Sequence, residues 1–158
     1  MKIISNYKKI GFILFFSASF SLAQSNQTID EVIVSASLTP LERSETGNSV
    51  TIIDGNLIRD RGVINISQIL RDVPGFAVSQ SGGYGAQTQV RARGAESNHL
   101  LVLIDGVEAN DPSQNDEFVW GTVSIADIEK IEVIRGPQSA ISGSDALAGK
   151  VNIITRSS

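Results

Sequence analysis

The part of this chain that most limits its possible folds is residues 131–155, IEVIRGPQSAISGSDALAGKVNIIT. It holds two apolar runs, residues 131–134 and 151–155, with the length and β-branched content of strands. A link rich in glycine and serine joins them. Pro137 has no backbone donor and fixes its own φ, so the first strand ends at Arg135-Gly136. Residues 139–141 can make one helical turn before Gly143 stops it. Arg135 is therefore expected where a strand ends and a tight loop begins.

The stretches before it read as short elements between long loops. Residues 50–53 form a strand closed by Asp54-Gly55, and residues 56–61 suit a helical turn. Asn65 or Ser67 can cap a helix running to about Asp72, with Ile66, Ile69 and Leu70 on one face. Pro74-Gly75 ends it. Residues 76–78 form a short strand. The loop at 79–86 is glycine-rich but is followed by an alternating strand pattern rather than a helix, which argues against a phosphate cradle. Leu100-Leu101-Val102-Leu103-Ile104 is too continuous for a half-exposed strand and reads as a central one buried on both faces. Asp105-Gly106 turns the chain after it. Residues 124–128 give a helical turn. The strands expected with most reason are 50–53, 100–104, 130–134 and 151–155.

The N-terminus reads as a leader. Lys2, Lys8 and Lys9 precede an apolar run at residues 10–20 and the small-x-small pattern Ser21-Leu22-Ala23. The run is shorter than the ~18 residues a membrane span needs. A cleaved signal peptide at 1–23 is expected. Removing those lysines takes the net charge from −4 to −7. An acidic surface without a basic patch argues against a nucleic-acid partner. The chain has no cysteine, which excludes disulfides, thiolate metal sites and lipid attachment after Ala23. Residues 24–48 are expected to be disordered or mobile. Within them, Val32-Ile33-Val34 is either an ordinary first strand or an extended peptide able to add to a partner's sheet.

Taken in order, several of these motifs resemble the plug domain of TonB-dependent outer-membrane receptors. The resemblance is carried by Val73-Pro74-Gly75, by LVLIDGV at residues 101–107, by Arg135-Gly136-Pro137, by Gly143-Ser144-Asp145-Ala146 and by VNIIT at residues 151–155. It covers about residues 30–155. Three positions depart from the family's pattern: Ala92 stands where isoleucine is usual, Ser142 where an aromatic is usual, and Lys150 where a small or aliphatic residue is usual. The resemblance implies an α+β fold: a small mixed β-sheet with short helices and long loops, in a plug domain at 49–158. It also implies a TonB box at Asp30, Glu31, Val32, Ile33, Val34 and Ser35, which would bind the C-terminal domain of TonB. Arg93 and Arg135 would pair with glutamates on the inner wall of an outer-membrane β-barrel, since a planar guanidinium suits bidentate pairing with carboxylates. Outward loops would touch a small-molecule substrate, cobalamin or a ferric siderophore, with cobalamin favoured. Tyr84, Phe118 and Trp120 are the substrate-loop candidates, with anchoring of the loop as the alternative for Phe118 and Trp120.

A plugged barrel has about 22 strands, and three residues follow residue 155. The expectation is a fragment of a receptor or a barrel-less form, with a freestanding periplasmic binding module as the alternative.

Other chemistry is poorly supplied. His99 is the one histidine, and Ser97, Ser139, Asp105 and Asp145 are triad partners only if the fold gathers them. No Gly-x-Ser-x-Gly elbow is present, so no enzyme is expected. No cofactor and no resident metal are expected either. Glu108, Asp111, Asp116 and Glu117 offer oxygen ligands for calcium, but their spacing is not that of an EF-hand and a solvated acidic loop is the commoner case.

Overall fold

The structure, a computed structural model, describes residues 49–83 and 85–156, Gly47, and the backbone of two short strands, β1 (Val32–Ile33) and β2 (Leu41–Glu42). The expected leader at residues 1–23 lies outside the described residues. β1 and β2 pair antiparallel. The linker expected to be mobile therefore contains a paired strand, and Val32 and Ile33 of the predicted box are paired within the chain.

The main sheet contains β3 (Ser49–Asp54), β6 (Leu100–Ile104), β7 (Val107–Glu108), β8 (Ile128–Arg135) and β9 (Gly149–Thr155). Their order is β3-β8-β9-β6-β7. β6 and β9 run parallel and the other neighbours antiparallel, so the sheet is mixed. β4 (Phe76–Gln80) and β5 (Thr88–Ala92) form a separate antiparallel hairpin. Three short helices, α1 (Gly55–Asp60), α2 (Ile66–Leu70) and α3 (Ser139–Ser142), fill connections. This is the expected α+β architecture, and the sheet is open rather than closed into a barrel.

The two runs that constrain the sequence become β8 and β9. Ile131 lies opposite Ile153 and Val133 opposite Val151. All four are buried, and they share one core with Ile58 of α1 and Ile66, Ile69 and Leu70 of α2. Burying each such side chain contributes roughly 1.5–3 kcal/mol. Gly149 opens β9 because nothing larger fits: a Cβ there would lie 2.5 Å from the carbonyl oxygen of Ile134.

Residues 100–104 form an interior strand buried on both faces, as expected: β6 lies between β9 and short β7. Leu100 and Val102 join the main core, and Leu101 is buried on the opposite face. The outer edge of β6 is covered by two-residue β7 and by the Asn110 side chain, which accepts from Val102 N at 2.8 Å and donates to Leu100 O at 3.2 Å.

Caps set the short helices. The Asp54 carboxylate accepts from Asn56 N at 2.6 Å ahead of α1. Asn65, not Ser67, caps α2, its Oδ1 accepting from Ser67 N at 3.0 Å. At the β6–β7 turn, Asp105 and Gly106 have φ of 50° and 82°. Two consecutive left-handed residues make the turn that a tight hairpin favours. The Asp105 carboxylate then reaches across to the end of β9, accepting from Thr155 N at 2.8 Å and Thr155 Oγ1 at 2.7 Å.

Two outcomes test this description. Ile153→Ala should lower unfolding free energy in denaturant titration by about 2–5 kcal/mol, whereas exposed Val107→Ala should change it by less than about 0.5 kcal/mol. The bonds from Thr155, side chain first and then backbone, hold the Asp105 carboxyl below its usual value. A depressed carboxyl stabilises the fold above its unfolded-state pKa, and the contribution is lost as pH falls through the folded value. The Thr155 amide resonance should titrate with a midpoint below ~3.9, and Asp105→Asn should abolish that titration. A midpoint at or above the ordinary value would show the clamp is not formed.

Candidate functional site

A cavity of about 250 Å³ lies between the loop of the β4–β5 hairpin and the acidic loop that follows β7. Phe118 and Trp120 form its aromatic wall, with ring centroids 4.9 Å apart at 82°. Both rings are buried in the main core. They therefore anchor the loop and line the cavity at once. Asn65, Gln87, Gln114 and Thr88 bring amides and a hydroxyl, and Glu117 brings a carboxylate. Among the described lining residues none is lysine, arginine or histidine.

A polar chain holds the two loops together. Arg91 Nη2 donates to Gln89 Oε1 at 2.9 Å, and Gln89 Nε2 donates to Glu117 Oε1 at 2.9 Å. Ser97 Oγ donates to the same Glu117 oxygen at 2.5 Å. One partly buried carboxylate thus collects donors from β5 and from the turn before β6. The acidic loop is folded by its own side chains. Asp111 caps the 3-10 turn at Pro112–Gln114 by accepting from Ser113 N and Oγ. Those same bonds hold its carboxyl below the usual range. Asn115 and Asp116 both adopt left-handed φ, which their short polar side chains tolerate. Asn110 Nδ2 donates to Asp116 O at 2.6 Å and ties the loop to β6.

The predicted calcium ligands do not converge. Among the described residues no group of three or more acidic, histidine or cysteine side chains is placed to hold a metal ion. Asp111 is engaged as a cap and Glu117 as an acceptor, so both are occupied by the loop's own folding. Three of the triad candidates are engaged elsewhere. Ser97 donates to Glu117, Asp105 binds Thr155, and Asp145 accepts from Ser144 Oγ at 2.9 Å.

The two arginines singled out in the sequence do come together. Arg93 follows β5 with φ 52°, and its N–H donates to Gly75 O at 2.6 Å. Arg135 ends β8, and Nη1 donates to Pro74 O at 3.3 Å while Nη2 donates to Thr51 Oγ1 at 3.0 Å. Both thus sit at the Pro74-Gly75 turn. Gly136, with φ 109°, makes room: a Cβ on it would lie 3.3 Å from Arg93 Nη1. The ion pairs among the described residues are Arg61–Asp72 and Lys130–Glu132, so neither Arg93 nor Arg135 is paired with a carboxylate there.

Of the other predicted residues, Tyr84, Asp30, Glu31, Val34 and Ser35 lie outside the described residues. Val32 and Ile33 form β1. Sequence reasoning missed the pivotal place of Glu117. Its signal was weak, because an acidic residue in an acidic loop looks solvated until the hairpin that donates to it is in place.

A family model for the TonB-dependent receptor plug domain matches residues 42–150. The chain belongs to that family. It is 41% identical over 140 residues to the vitamin B12 transporter BtuB of Vibrio vulnificus, an alignment covering 89% of this chain and 23% of that protein. The ferric enterobactin receptor of Pseudomonas aeruginosa, solved in complex with enterobactin, is 34% identical with TM-score 0.58, covering 72% of this chain and 18% of that one. The ferripyoverdine receptor of the Pseudomonas aeruginosa outer membrane shares the fold at TM-score 0.65 and 23% identity, covering 80% of this chain and 16% of that one. The chain therefore spans less than a quarter of the length of the transporter and receptors it matches. Within the plug, the cavity between the two loops and the arginine pair are the two places where side chains of defined chemistry converge.

Glu117 offers the direct check on the cavity. Glu117→Ala removes the acceptor shared by Gln89 and Ser97 and should cost about 1–3 kcal/mol in denaturant unfolding. Unfolding followed by Trp120 fluorescence should shift with it. A variant as stable as the parent would mean that the polar chain does not hold the loops.

Proposed function

We propose that this plug gates an outer-membrane receptor for a scarce nutrient, with residues 30–35 as the TonB box. The observation that carries the reading is the arginine pair. Arg93 and Arg135 meet at one turn on rigid strand ends, and the described part of the chain gives them no carboxylate. Acids approaching this turn from outside would meet both side chains. Glutamates on the inner wall of an enclosing barrel would supply them and fix the plug in register. A pair so buried would be costly to break from one side, since the remaining charge would lie unpaired.

Gating then follows from three parts. The plug blocks the pore, substrate meets the loops around Phe118 and Trp120, and TonB pulls on the box from the periplasm. The box would join TonB by strand addition, in which main-chain bonds supply affinity. Val32 and Ile33 would first leave their pairing with Leu41 and Glu42.

The cavity supports cobalamin over a ferric siderophore as substrate. Its described lining offers amides, a hydroxyl, two aromatic rings and a carboxylate, without a cation. A polyanionic ferric catecholate would face Glu117 with nothing to neutralise it, a like-charge contact that disfavours that ligand. A neutral corrin bearing carboxamide side chains has no charge for Glu117 to oppose and offers hydrogen-bond partners to the lining amides.

Two measurements test the proposal. The chain after residue 23 should bind a TonB C-terminal domain, and Val34→Pro should weaken binding at least about tenfold, because proline cannot donate to the added strand. Equal affinity of the two proteins would falsify the box assignment. Exchanged into the barrel of the 41% identical transporter, the plug should support cobalamin uptake but not ferric enterobactin uptake. Arg93→Glu with Arg135→Glu should abolish that uptake, and undiminished uptake would remove the docking role of the arginines.

A further inference from the structure

The face of the sheet turned away from α1 and α2 carries charge in its interior. In the β8–β9 register Glu132 lies opposite Asn152, and Ile134 opposite Lys150. Lys150 is thus the diagonal neighbour of Glu132 on that face, a separation a lysine side chain spans. Glu132 is 0% exposed and Lys150 only 4%. Glu132 also pairs with Lys130 Nζ at 2.9 Å. Burial lowers the proton affinity of Lys150, and the charge of Glu132 opposes that shift. From this position Lys150 Nζ donates to Ser142 Oγ at 2.8 Å.

Ser142 is the last residue of α3, in the loop that joins β8 to β9. That loop begins beside Arg135 and exposes two large apolar side chains, Ile141 and Leu147. Its one-turn helix is closed by the amides of Ile141, Ser142 and Gly143, which donate to Gln138 and Ser139 carbonyls. A four-residue helix has little stability of its own. A charge-assisted bond from a buried, pre-positioned ammonium is the kind of contact that can hold it.

The geometry points to Lys150 as a positioning residue. Steadied by Glu132, it ties Ser142 to the sheet and so sets how the loop presents Ile141 and Leu147 next to Arg135. Within residues 131–155, Ser142 and Lys150 are also the two positions that depart from the plug motif, and here they are each other's partner. The small hydroxyl side chain is aimed at the ammonium, so a large ring at 142 would run into the lysine. The two residues form one unit, in which changing either alone leaves the other mismatched. This inference concerns the chain's own packing and does not depend on the substrate or on TonB.

Amide hydrogen exchange on the full chain tests it. Ser142→Ala should speed exchange at Ile141, Ser142 and Gly143 by about tenfold or more, the equivalent of one charged hydrogen bond. The β8 and β9 amides at Ile131, Val133, Val151 and Ile153 should be unaffected. Lys150→Met should reproduce the effect and Lys150→Arg should largely spare it, because the guanidinium still donates. Ser142→Tyr alone should loosen the loop, and Ser142→Tyr with Lys150→Val should restore protection to within about threefold of the parent. If Lys150→Met fails to fold, Ser142→Ala decides alone. Unchanged loop exchange in Ser142→Ala overturns the tie. A double variant whose effect equals the product of the two single ones overturns the unit.

Discussion

Everything in this fold leans on the antiparallel contact between β8 and β9. It places Ile131 on Ile153 and Val133 on Val151, and so creates the apolar surface onto which α1 and α2 close. It also fixes the outer neighbours. β3 adds to the free side of β8, and β6 adds in parallel to the free side of β9. A slip of β9 by one residue would turn Val151 and Ile153 to the other face and bring Lys150 and Asn152 into the core. Gly149 guards against that slip, since only a residue without a Cβ fits beneath the Ile134 carbonyl.

The same contact organises one of the two places of interest for function. Arg135 is the last residue of β8, so its guanidinium leaves the sheet from a fixed point and finds Thr51 and Pro74. Arg93 arrives from the separate hairpin, and the two meet because α2 ends at the Val73-Pro74-Gly75 turn between them. The cavity is assembled differently. Its walls are loops, and it is kept open by interactions of side chains: two core-anchored rings on one side and the Glu117 acceptor on the other. Rigid backbone thus positions the charges, while a network of polar groups positions the cavity.

Much of this was legible in the sequence, and the reason is local. Apolar runs marked β6, β8 and β9, and Asp54, Asn65 and Pro74-Gly75 marked where helices begin and end. Those signals act within a few residues. What was not legible depends on residues far apart in the chain. Phe118 and Trp120 looked like loop residues because their neighbours are acidic, yet their rings lie in the core. Glu117, the Asp105–Thr155 clamp and the Lys150–Ser142 tie all join residues that no periodicity connects. Ser142 and Lys150 did stand out as departures from a motif, but only the fold shows that the two are one change.

The register also has a mechanical meaning. Ser49, where the chain joins the sheet, lies in line with Arg135 and Gly149, whereas Thr155, where it leaves, lies in line with Ile128 at the opposite end. Tension between the two ends therefore runs along the strands rather than across them. The ladder joining β3 to β8 would be loaded in shear, all its bonds sharing the pull, and would not open one bond at a time like a zip.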